Sequence, residues 1–374
     1  MNVVSESFAR IISESGFAQL TGGNVVMLLV SFVLLYLALG RGFEPLLLTP
    51  IAFGCLLVNL PGSGIMDAGG FLNILYYGTK HEIYPVIIFM GIGAMTDFTP
   101  LLANPITFLL GAAAQFGVFV ALFGAMALGF SVQEAASIAI IGGADGPTSI
   151  YLTTKLAPQI LGAVAVASYS YMSLVPLIQP PVIKLCTTKA DRAIAMDKLR
   201  PVTKLEMVLF PIVVTIVAGL VLPMSVPLIG VLMFGNLLRV CGVCDRLSNS
   251  AQNEILNTTS IFLSLTVGAT MSAQDFLTVG TIKIICLGLV AFIFSTAGGC
   301  LFGQLMKVLS KGKINPMIGA AGVSAVPMAA RVVQVVCQKE NPGRFLLMHA
   351  MGPNVAGVIG TAVAASVMLT LLSH

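Results

Sequence analysis

Long apolar runs, separated by short polar connectors, fill almost the whole chain. The runs lack the strict alternation of barrel strands, so they predict membrane-spanning helices and an all-α polytopic membrane protein. Several runs are shorter than the ~20 residues that a span usually needs, so we expect about ten spans in one membrane domain over residues 1–374. The runs cover residues 24–39, 46–60, 84–95, 106–130, 135–152, 159–185, 207–223, 226–238, 255–271, 281–306, 314–336 and 344–372.

Composition strengthens this prediction. Hydrophobic residues make up 57% of the chain and charged residues 9%, with a mean hydropathy of +0.99. A soluble domain carries about 25% charged residues, so an ordinary soluble enzyme is excluded. The stretch 3–20 places Glu6, Arg10 and Glu14 between apolar residues, which predicts an amphipathic helix at the membrane interface.

One connector, residues 186–206, is strongly basic. The positive-inside rule predicts that this basic loop is cytoplasmic. It is either a surface for a cytosolic partner or a topology signal alone. The cations in and beside it are Lys184, Lys189, Arg192, Lys198, Arg200 and Lys204.

The stretch Ile141-Gly-Gly-Ala-Asp-Gly-Pro-Thr-Ser-Ile-Tyr151 interrupts an apolar run. Glycine and proline break a helix, and lipid cannot satisfy the freed carbonyl groups. An ionised carboxylate in the hydrocarbon region costs about 2.5–3.5 kcal/mol on insertion scales. A broken helix with a carboxylate at mid-depth is typical of a cation site. We therefore predict that Asp145 binds and moves a small cation, with sodium the first choice.

Asp145 has two other interpretations. It could cap the N-terminus of a half-helix, with Thr148 and Ser149 satisfying the broken backbone. It could also pair with Asp97 as the dyad of an intramembrane aspartyl protease, which requires two facing aspartates. Asp97 lies at the end of a run, which disfavours the protease.

Two parts of the chain resemble each other. Residues 91–98 resemble 267–276, and in both parts a long apolar run and a Gly-rich segment follow. The interval from Asp97 to Asp145 is 48 positions, and that from Asp275 to Ser324 is 49. We expect repeat 1 over 84–185, with the first broken segment at 141–151. Repeat 2 is expected over 255–372, with the second broken segment at 314–327. Inverted repeats would place a site between two broken helices, although chance similarity of Gly/Ala-rich sequence is the alternative.

The second broken segment offers further candidates. Asn315 and Ser324 supply neutral oxygen ligands, and Gly319 allows close backbone approach, although small residues also serve helix packing. Arg331 either balances the charge of Asp145 when the cation has left or extends to an interface. Asn354 is a further amide beside a proline.

Two tyrosines, Tyr169 and Tyr171, lie in a predicted span. A phenol at this depth can donate to a carboxylate or relay a proton. More often such a tyrosine anchors a span at the interface.

The segments 142–148, 315–327 and 351–357 together resemble the beta subunit of the sodium-pumping biotin-dependent decarboxylases of oxaloacetate, methylmalonyl-CoA and glutaconyl-CoA. The resemblance covers essentially the whole chain. It implies that Asp145, Tyr171 and Arg331 are catalytic. It also implies a set of sodium ligands, namely Asp145, Asn315, Gly319, Ser324 and Asn354.

The resemblance implies a mechanism as well. An alpha (carboxyltransferase) subunit passes carboxylate to a biotin carrier protein, and this chain decarboxylates the carboxybiotin. An outer-side proton is consumed while sodium is exported. Biotin is not expected on this chain, which lacks an Ala-Met-Lys-Met-type motif. An elevator-type core would move against a scaffold.

The same resemblance implies a small gamma or delta membrane subunit, a homo-oligomer and a bacterial or archaeal cell membrane, with no nucleic-acid partner. A sodium-coupled secondary transporter of an organic anion is the alternative function. The sequence does not say which acid is decarboxylated.

Overall fold

The computed structural model describes Ser13 and residues 15–373, and within that part of the chain every regular element is helical. The predicted all-α membrane fold is therefore confirmed. The interfacial helix predicted at 3–20 falls mostly outside the described residues. Of its C-terminal part, residues 16–19 form a turn.

Within the described residues, the first thirteen α-helices extend as far as residue 240. They are α1 (Gly22–Leu35), α2 (Pro45–Val58), α3 (Phe71–Lys80), α4 (Ile83–Met95), α5 (Thr99–Ala103), α6 (Phe108–Ala114), α7 (Phe116–Ala127), α8 (Val132–Ala139), α9 (Gly146–Leu156), α10 (Leu161–Cys186), α11 (Lys189–Arg192), α12 (Lys204–Val221) and α13 (Val231–Val240).

Six helices follow. They are α14 (Asp245–Ser250), α15 (Leu256–Ala269), α16 (Ala273–Phe276), α17 (Val279–Leu309), α18 (Met328–Glu340) and α19 (Leu347–Leu372). Short 3₁₀ segments occur at both predicted breaks, over Ile140–Gly143 and Pro316–Gly322.

Among the described residues, seven helical stretches are long and apolar enough to cross a membrane. They are Gly22–Gly40, Pro105–Ala127, Pro158–Cys186, Lys204–Val221, Pro223–Val240, Val279–Leu309 and Leu347–Leu372. Three shorter apolar helices, Pro45–Val58, Ile83–Met95 and Val132–Gly143, accompany them. The predicted run at 255–271 is not one of the seven, and its helix α15 carries several hydroxyl side chains.

The two broken segments lie within similar successions of elements. From α5 to α10 the chain forms a short helix, a long apolar stretch, the short helix α8, a 3₁₀ turn, the short helix α9 and a 26-residue helix. The order from α16 to α19 is similar and also ends in a 26-residue helix, but it has no counterpart of α8. This order is consistent with the predicted repeats, and their inverted relationship stays a prediction.

Glycines bring two pairs of helices into backbone contact. A methyl group on Gly54 of α2 would collide with the Leu265 carbonyl of α15, and one on Gly268 would collide with the Ile51 carbonyl. Gly93 of α4 and Gly235 of α13 meet the facing backbone in the same way. Close approach through small residues is the usual way in which membrane helices pack, since lipid gives no hydrophobic driving force between them.

Helix α10 contains three prolines, Pro176, Pro180 and Pro181, yet it continues over all 26 residues. Proline is tolerated in a membrane helix when neighbours replace the lost hydrogen bonds. Tyr169 and Tyr171 lie on different faces of this helix.

The basic loop is held down by a set of charged contacts that we call the loop clamp. Asp191 Oδ1 lies 2.7 Å from Lys307 Nζ at the end of α17, and Asp191 Oδ2 accepts a hydrogen bond from Gln304 at 2.8 Å. Arg192 Nε pairs with Glu340 Oε1 of α18 at 3.0 Å. The loop is therefore fixed against the ends of two helices that flank the second broken segment.

Candidate cation site

The first broken segment breaks where glycine and proline predicted it. After the 3₁₀ turn, Ala144 takes a left-handed conformation with φ of +53°, and Asp145 is extended. A non-glycine residue with positive φ is uncommon and costs free energy. Helix α9 then begins at Gly146, so the strained turn aims the aspartate at the start of a half-helix.

Asp145 is buried, with 5% of its surface exposed. Its Oδ1 accepts a hydrogen bond from the Thr148 amide at 3.2 Å and so caps α9. Its Oδ2 is buried and has no hydrogen-bond partner among the described residues. The helix N-terminus favours negative charge, but one carboxylate oxygen is left open for a cation or a proton. The capping role and the binding role are therefore compatible.

The second broken segment contacts the first directly. The Ser324 amide donates to the Gly143 carbonyl at 2.8 Å, two residues before Asp145. Ser324 Oγ lies 2.8 Å from Thr361 Oγ1 of α19. A methyl group on Gly143 would lie 2.7 Å from the same Thr361 oxygen. Glycine at 143 therefore lets two hydroxyl groups approach the turn that carries Asp145.

Thr361 and Gln115 belong to this polar cluster, although the sequence analysis did not select them. Gln115 Nε2 lies 3.3 Å from Thr361 Oγ1. Each residue is a lone polar side chain in an apolar helix, which is a weak signal. The signal for Thr361 was its spacing, since it lies seven positions after Asn354 and thus on the same helix face.

Asn354 stabilises the backbone of the second broken segment through hydrogen bonds. Its Nδ2 donates to the carbonyl oxygens of Val323 at 2.7 Å and Ala321 at 3.0 Å. These carbonyls belong to non-α-helical backbone that lipid could not satisfy. Asn354 Oδ1 is buried without a partner in the described part of the chain. The side chain is therefore both a support and a possible oxygen ligand.

The two tyrosines face different neighbours. The fully buried ring of Tyr169 lies against Gly146, where an added methyl group would come within 2.6 Å of ring carbon Cζ. The Tyr169 hydroxyl has no partner among the described residues. Tyr171 instead packs on Gly288 and donates to the Ile285 carbonyl of α17. The structure thus brings Tyr169, not Tyr171, beside the aspartate.

Three predicted site residues do not meet Asp145 in this conformation. Asn315 caps the second 3₁₀ segment through Met317 and donates to the Ile194 carbonyl of the basic loop at 2.9 Å. Gly319 packs against the backbone of Gly299 in α17. Arg331 is exposed. Their roles in sodium binding and catalysis stay predictions.

Two other oxygen-bearing side chains are placed by the structure. Thr148 Oγ1 is buried without a partner in the described residues, whereas Ser149 Oγ donates to the Asp145 carbonyl at 2.8 Å. Asp97 accepts a hydrogen bond from the Thr99 amide at 2.9 Å, so its position suits a cap of α5. Thr148 therefore remains available to a ligand.

The buried polar atoms of the site are almost all oxygens. Four of them have no partner among the described residues, namely Asp145 Oδ2, Thr148 Oγ1, Asn354 Oδ1 and the Tyr169 hydroxyl. Within the same part of the chain, no group of three or more His, Cys, Asp or Glu could hold a metal ion. Carboxylate, amide and hydroxyl oxygens suit hard cations rather than soft transition metals.

Comparison with known proteins agrees over nearly the whole length. The family model described as the Na⁺-transporting oxaloacetate decarboxylase beta subunit matches residues 23–372. The chain is 62% identical to the methylmalonyl-CoA decarboxylase subunit beta of Veillonella parvula, with 100% of both chains covered. It is 62% identical to the glutaconyl-CoA decarboxylase subunit beta of Acidaminococcus fermentans, covering 100% of this chain and 99% of the other. It is 47% identical to the oxaloacetate decarboxylase beta chain 2 of Salmonella typhi, with 97% and 98% covered.

Proposed function

The chain belongs to the family of Na⁺-transporting decarboxylase beta subunits, and we propose that it moves sodium across the membrane through the oxygen cluster around Asp145. It is a multi-pass membrane subunit of a decarboxylase complex. The observation that carries the proposal is the buried, unpartnered Oδ2 of Asp145 at a helix break. A carboxylate oxygen in such a place needs a cation or a proton to balance it.

Sodium is the transported substrate. Asp145 supplies the charge, and Thr148, Ser324, Thr361 and Asn354 supply neutral oxygen atoms. The Ser324 to Gly143 hydrogen bond ties the neutral ligands of one broken segment to the carboxylate of the other. Movement of either segment would then change the coordination of the ion, which is what a transporter of the elevator type requires.

Coupling to decarboxylation follows from competition at one carboxylate. Sodium and a proton cannot both occupy Asp145 Oδ2, so each lowers the affinity for the other by the same factor. The proton that carboxybiotin consumes when it loses carbon dioxide would come from the outer side. Loss of this proton from Asp145 would leave the carboxylate open to sodium from the inner side.

Partners follow from the same reasoning. The complex would include an alpha carboxyltransferase subunit and a biotin carrier protein that presents carboxybiotin, with a small gamma or delta membrane subunit. The relatives are named for three different carboxylated substrates, namely methylmalonyl-CoA, glutaconyl-CoA and oxaloacetate, yet their beta subunits are 47–62% identical to this chain. This similarity supports placing acid specificity outside this subunit. A bacterial or archaeal cell membrane and a homo-oligomer complete the proposal.

The test uses the assembled complex in proteoliposomes loaded with the native acid substrate. We expect decarboxylation to drive ²²Na⁺ transport, and Asp145→Asn to abolish both transport and sodium-dependent decarboxylation. Carboxyl transfer to biotin should be intact. Asp97→Asn is the matched control, because it makes the same chemical change at a carboxylate that caps α5, and it should keep transport.

Full sodium transport by Asp145→Asn would refute the assignment. Uptake of an organic anion by the chain alone, driven by a sodium gradient and without any biotin protein, would favour the secondary-transporter function instead.

A further inference from the structure

A polar pocket opens beside the basic loop. It has a volume of about 290 Å³, close to the lower end of the ~300–1,000 Å³ range of ligand sites. Its walls come from the end of α5, the basic loop, the connector after α17 and the first turn of α19. We call it the loop pocket. Its polar lining includes Asn104, Lys198, Arg200, Ser310, Lys313 and His349.

The lining carries excess positive charge. Lys198 and Lys313 make no ion pair among the described residues, whereas Arg200 pairs with Glu206 at 2.7 Å. Asp197 is the carboxylate of the lining. Both lysines are exposed, so they are free to meet a ligand. A pocket with two unpaired ammonium groups favours an anion.

His349 supplies a second and independent indication. It lines the pocket, and its Nδ1 is buried without a hydrogen-bond partner in the described part of the chain. Buried polar atoms in folded proteins are almost always paired, so this ring nitrogen of a pocket-lining residue is left unsatisfied unless a ligand group reaches it. The ring nitrogen can donate to or accept from a polar planar group.

The pocket walls are built before any ligand arrives. Arg200 donates to the Leu102 carbonyl at 2.8 Å and so ties the loop to α5. Asn315 donates to the Ile194 carbonyl at 2.9 Å and ties it to the second broken segment. A preformed pocket lowers the entropy that binding costs.

The same segment links the pocket to the cation site. Ile314 lines the pocket, and Asn315 follows it at the start of the seven-residue 3₁₀ segment. The segment rises about 14 Å at roughly 2 Å per residue. Beyond its far end, Ser324 bonds to Gly143 beside Asp145. A ligand in the loop pocket would therefore lie at the Asn315 end of the second broken segment, and the Ser324 end of that segment lies beside Asp145.

We infer that the loop pocket binds the anionic, carboxylated ureido head of biotin on the carrier protein. This inference rests on the proposed function, which requires that group to reach the chain from the loop side. Lys198 and Lys313 meet the carboxylate, and His349 Nδ1 makes a hydrogen bond to the planar head. Occupation of the pocket then biases the second broken segment, which carries Ser324.

The first test is single-turnover decarboxylation in the assembled complex in nanodiscs. The carrier is charged with ¹⁴C-labelled carboxylate in sodium-free buffer, and sodium is then added. We expect Lys198→Met and Lys313→Met each to slow release of label by about tenfold, equivalent to about 1.4 kcal/mol. Carrier charging and the half-saturating sodium concentration should be unchanged. Lys311→Met is the matched control, since it removes an exposed lysine of the same connector outside the pocket.

Rates within twofold of wild type for both variants would overturn the pocket assignment. So would an effect that appears only in nanodiscs containing anionic phospholipid, because the lysines would then bind headgroups. These results are distinct from failure of the proposed function, in which the wild-type release rate itself would not depend on sodium.

The second test does not rely on turnover. A cysteine is introduced by Asn104→Cys in the pocket wall or by Lys311→Cys outside it, and its modification by a negatively charged thiol reagent is followed by peptide mass spectrometry. We expect the carboxylated carrier, but not the uncarboxylated carrier, to slow labelling at 104 by about fivefold, equivalent to about 1 kcal/mol. Labelling at 311 should not change. Equal labelling at 104 in both carrier states would count against the pocket.

Discussion

The ring of Tyr169 lies against the backbone of Gly146, the residue directly after Asp145. The ring is fully buried and its hydroxyl has no partner among the described residues. A buried hydroxyl without a partner is costly, so the phenol is available to a ligand near this turn. Tyr171, two residues later, instead donates to the Ile285 carbonyl of α17 and links two helices.

We expect Tyr169→Phe to change the sodium concentration that gives half-maximal decarboxylation. The ring and its packing on Gly146 are kept, and only the hydroxyl beside the carboxylate is lost. A hydrogen bond is worth about 0.5–1.5 kcal/mol, so the shift should be about two- to tenfold. Tyr171→Phe is the comparison, and it should lower the maximal rate with the half-saturating sodium concentration unchanged. If Tyr171→Phe instead shifts the half-saturating sodium concentration and Tyr169→Phe lowers only the maximal rate, Tyr171 is the ligand.

Gly146→Ala tests the same contact from the other side. The new methyl group would lie 2.6 Å from Tyr169 Cζ, so the ring or the turn has to move. For Gly146→Ala we expect loss of sodium-dependent decarboxylation and a lower unfolding temperature in detergent. Gly22→Ala is a control of the same chemistry at the start of α1, where no atom lies within 4 Å of the added group. Wild-type sodium dependence in Gly146→Ala would show that the packing is not needed.

Ser324→Ala should raise the sodium concentration for half-maximal activity. Its hydroxyl bonds to Thr361 at 2.8 Å, next to the turn that carries Asp145. The expected change is about fivefold, equivalent to about 1 kcal/mol. Ser366→Ala is the matched control, because Ser366 is equally buried in α19 but bonds to its own helix at Ala362. An unchanged sodium dependence in Ser324→Ala would remove this residue from the ligand set.

Asn354→Ala should destabilise the protein as well as the site. Its amide satisfies the carbonyl groups of Ala321 and Val323, which the 3₁₀ and extended backbone leaves without helical partners. A buried acceptor without a donor costs about 1–3 kcal/mol. We expect a lower unfolding temperature in sodium-free detergent, where a pure ligand role would leave stability unchanged. Recovery of stability in Asn354→Gln would support the amide as a structural donor.

The sequence was sufficient where strong physical rules apply. Apolar runs predicted the helices, because a membrane leaves few alternatives, and the Gly-Pro pair predicted the break before α9. It was insufficient where one side chain in an apolar helix meets a distant partner. Thr361 carries only a weak signal in its spacing from Asn354, and Gln115 only that of a polar residue in an apolar run. The choice between Tyr169 and Tyr171 depends on which face of α10 meets Gly146.

The loop clamp gives a prediction with a pH dependence. Burial alone would raise the pKa of Asp191, but hydrogen bonds from Lys307, Gln304 and Thr188 hold that pKa below its ordinary range. A carboxyl with a lower pKa in the folded protein stabilises it fully above the unfolded pKa of about 3.9. This stabilisation is lost as the pH falls through the folded-state pKa.

At pH 7 we therefore expect Asp191→Asn to reduce the free energy of unfolding by about 1–3 kcal/mol, because charged hydrogen bonds are lost. The difference from wild type should shrink as the pH is lowered below about 4, because Asp191 of the unfolded wild-type chain then binds a proton, whereas folded Asp191 resists protonation until the lower folded-state pKa. Thermal unfolding in detergent at a series of pH values from 7 to below 4 measures this difference in stability. Asp197→Asn is the control, an exposed aspartate of the same loop with no ion pair among the described residues. A difference between Asp191→Asn and wild type that grows on acidification would contradict the clamp, because protonation would then be adding stability to the wild-type contact.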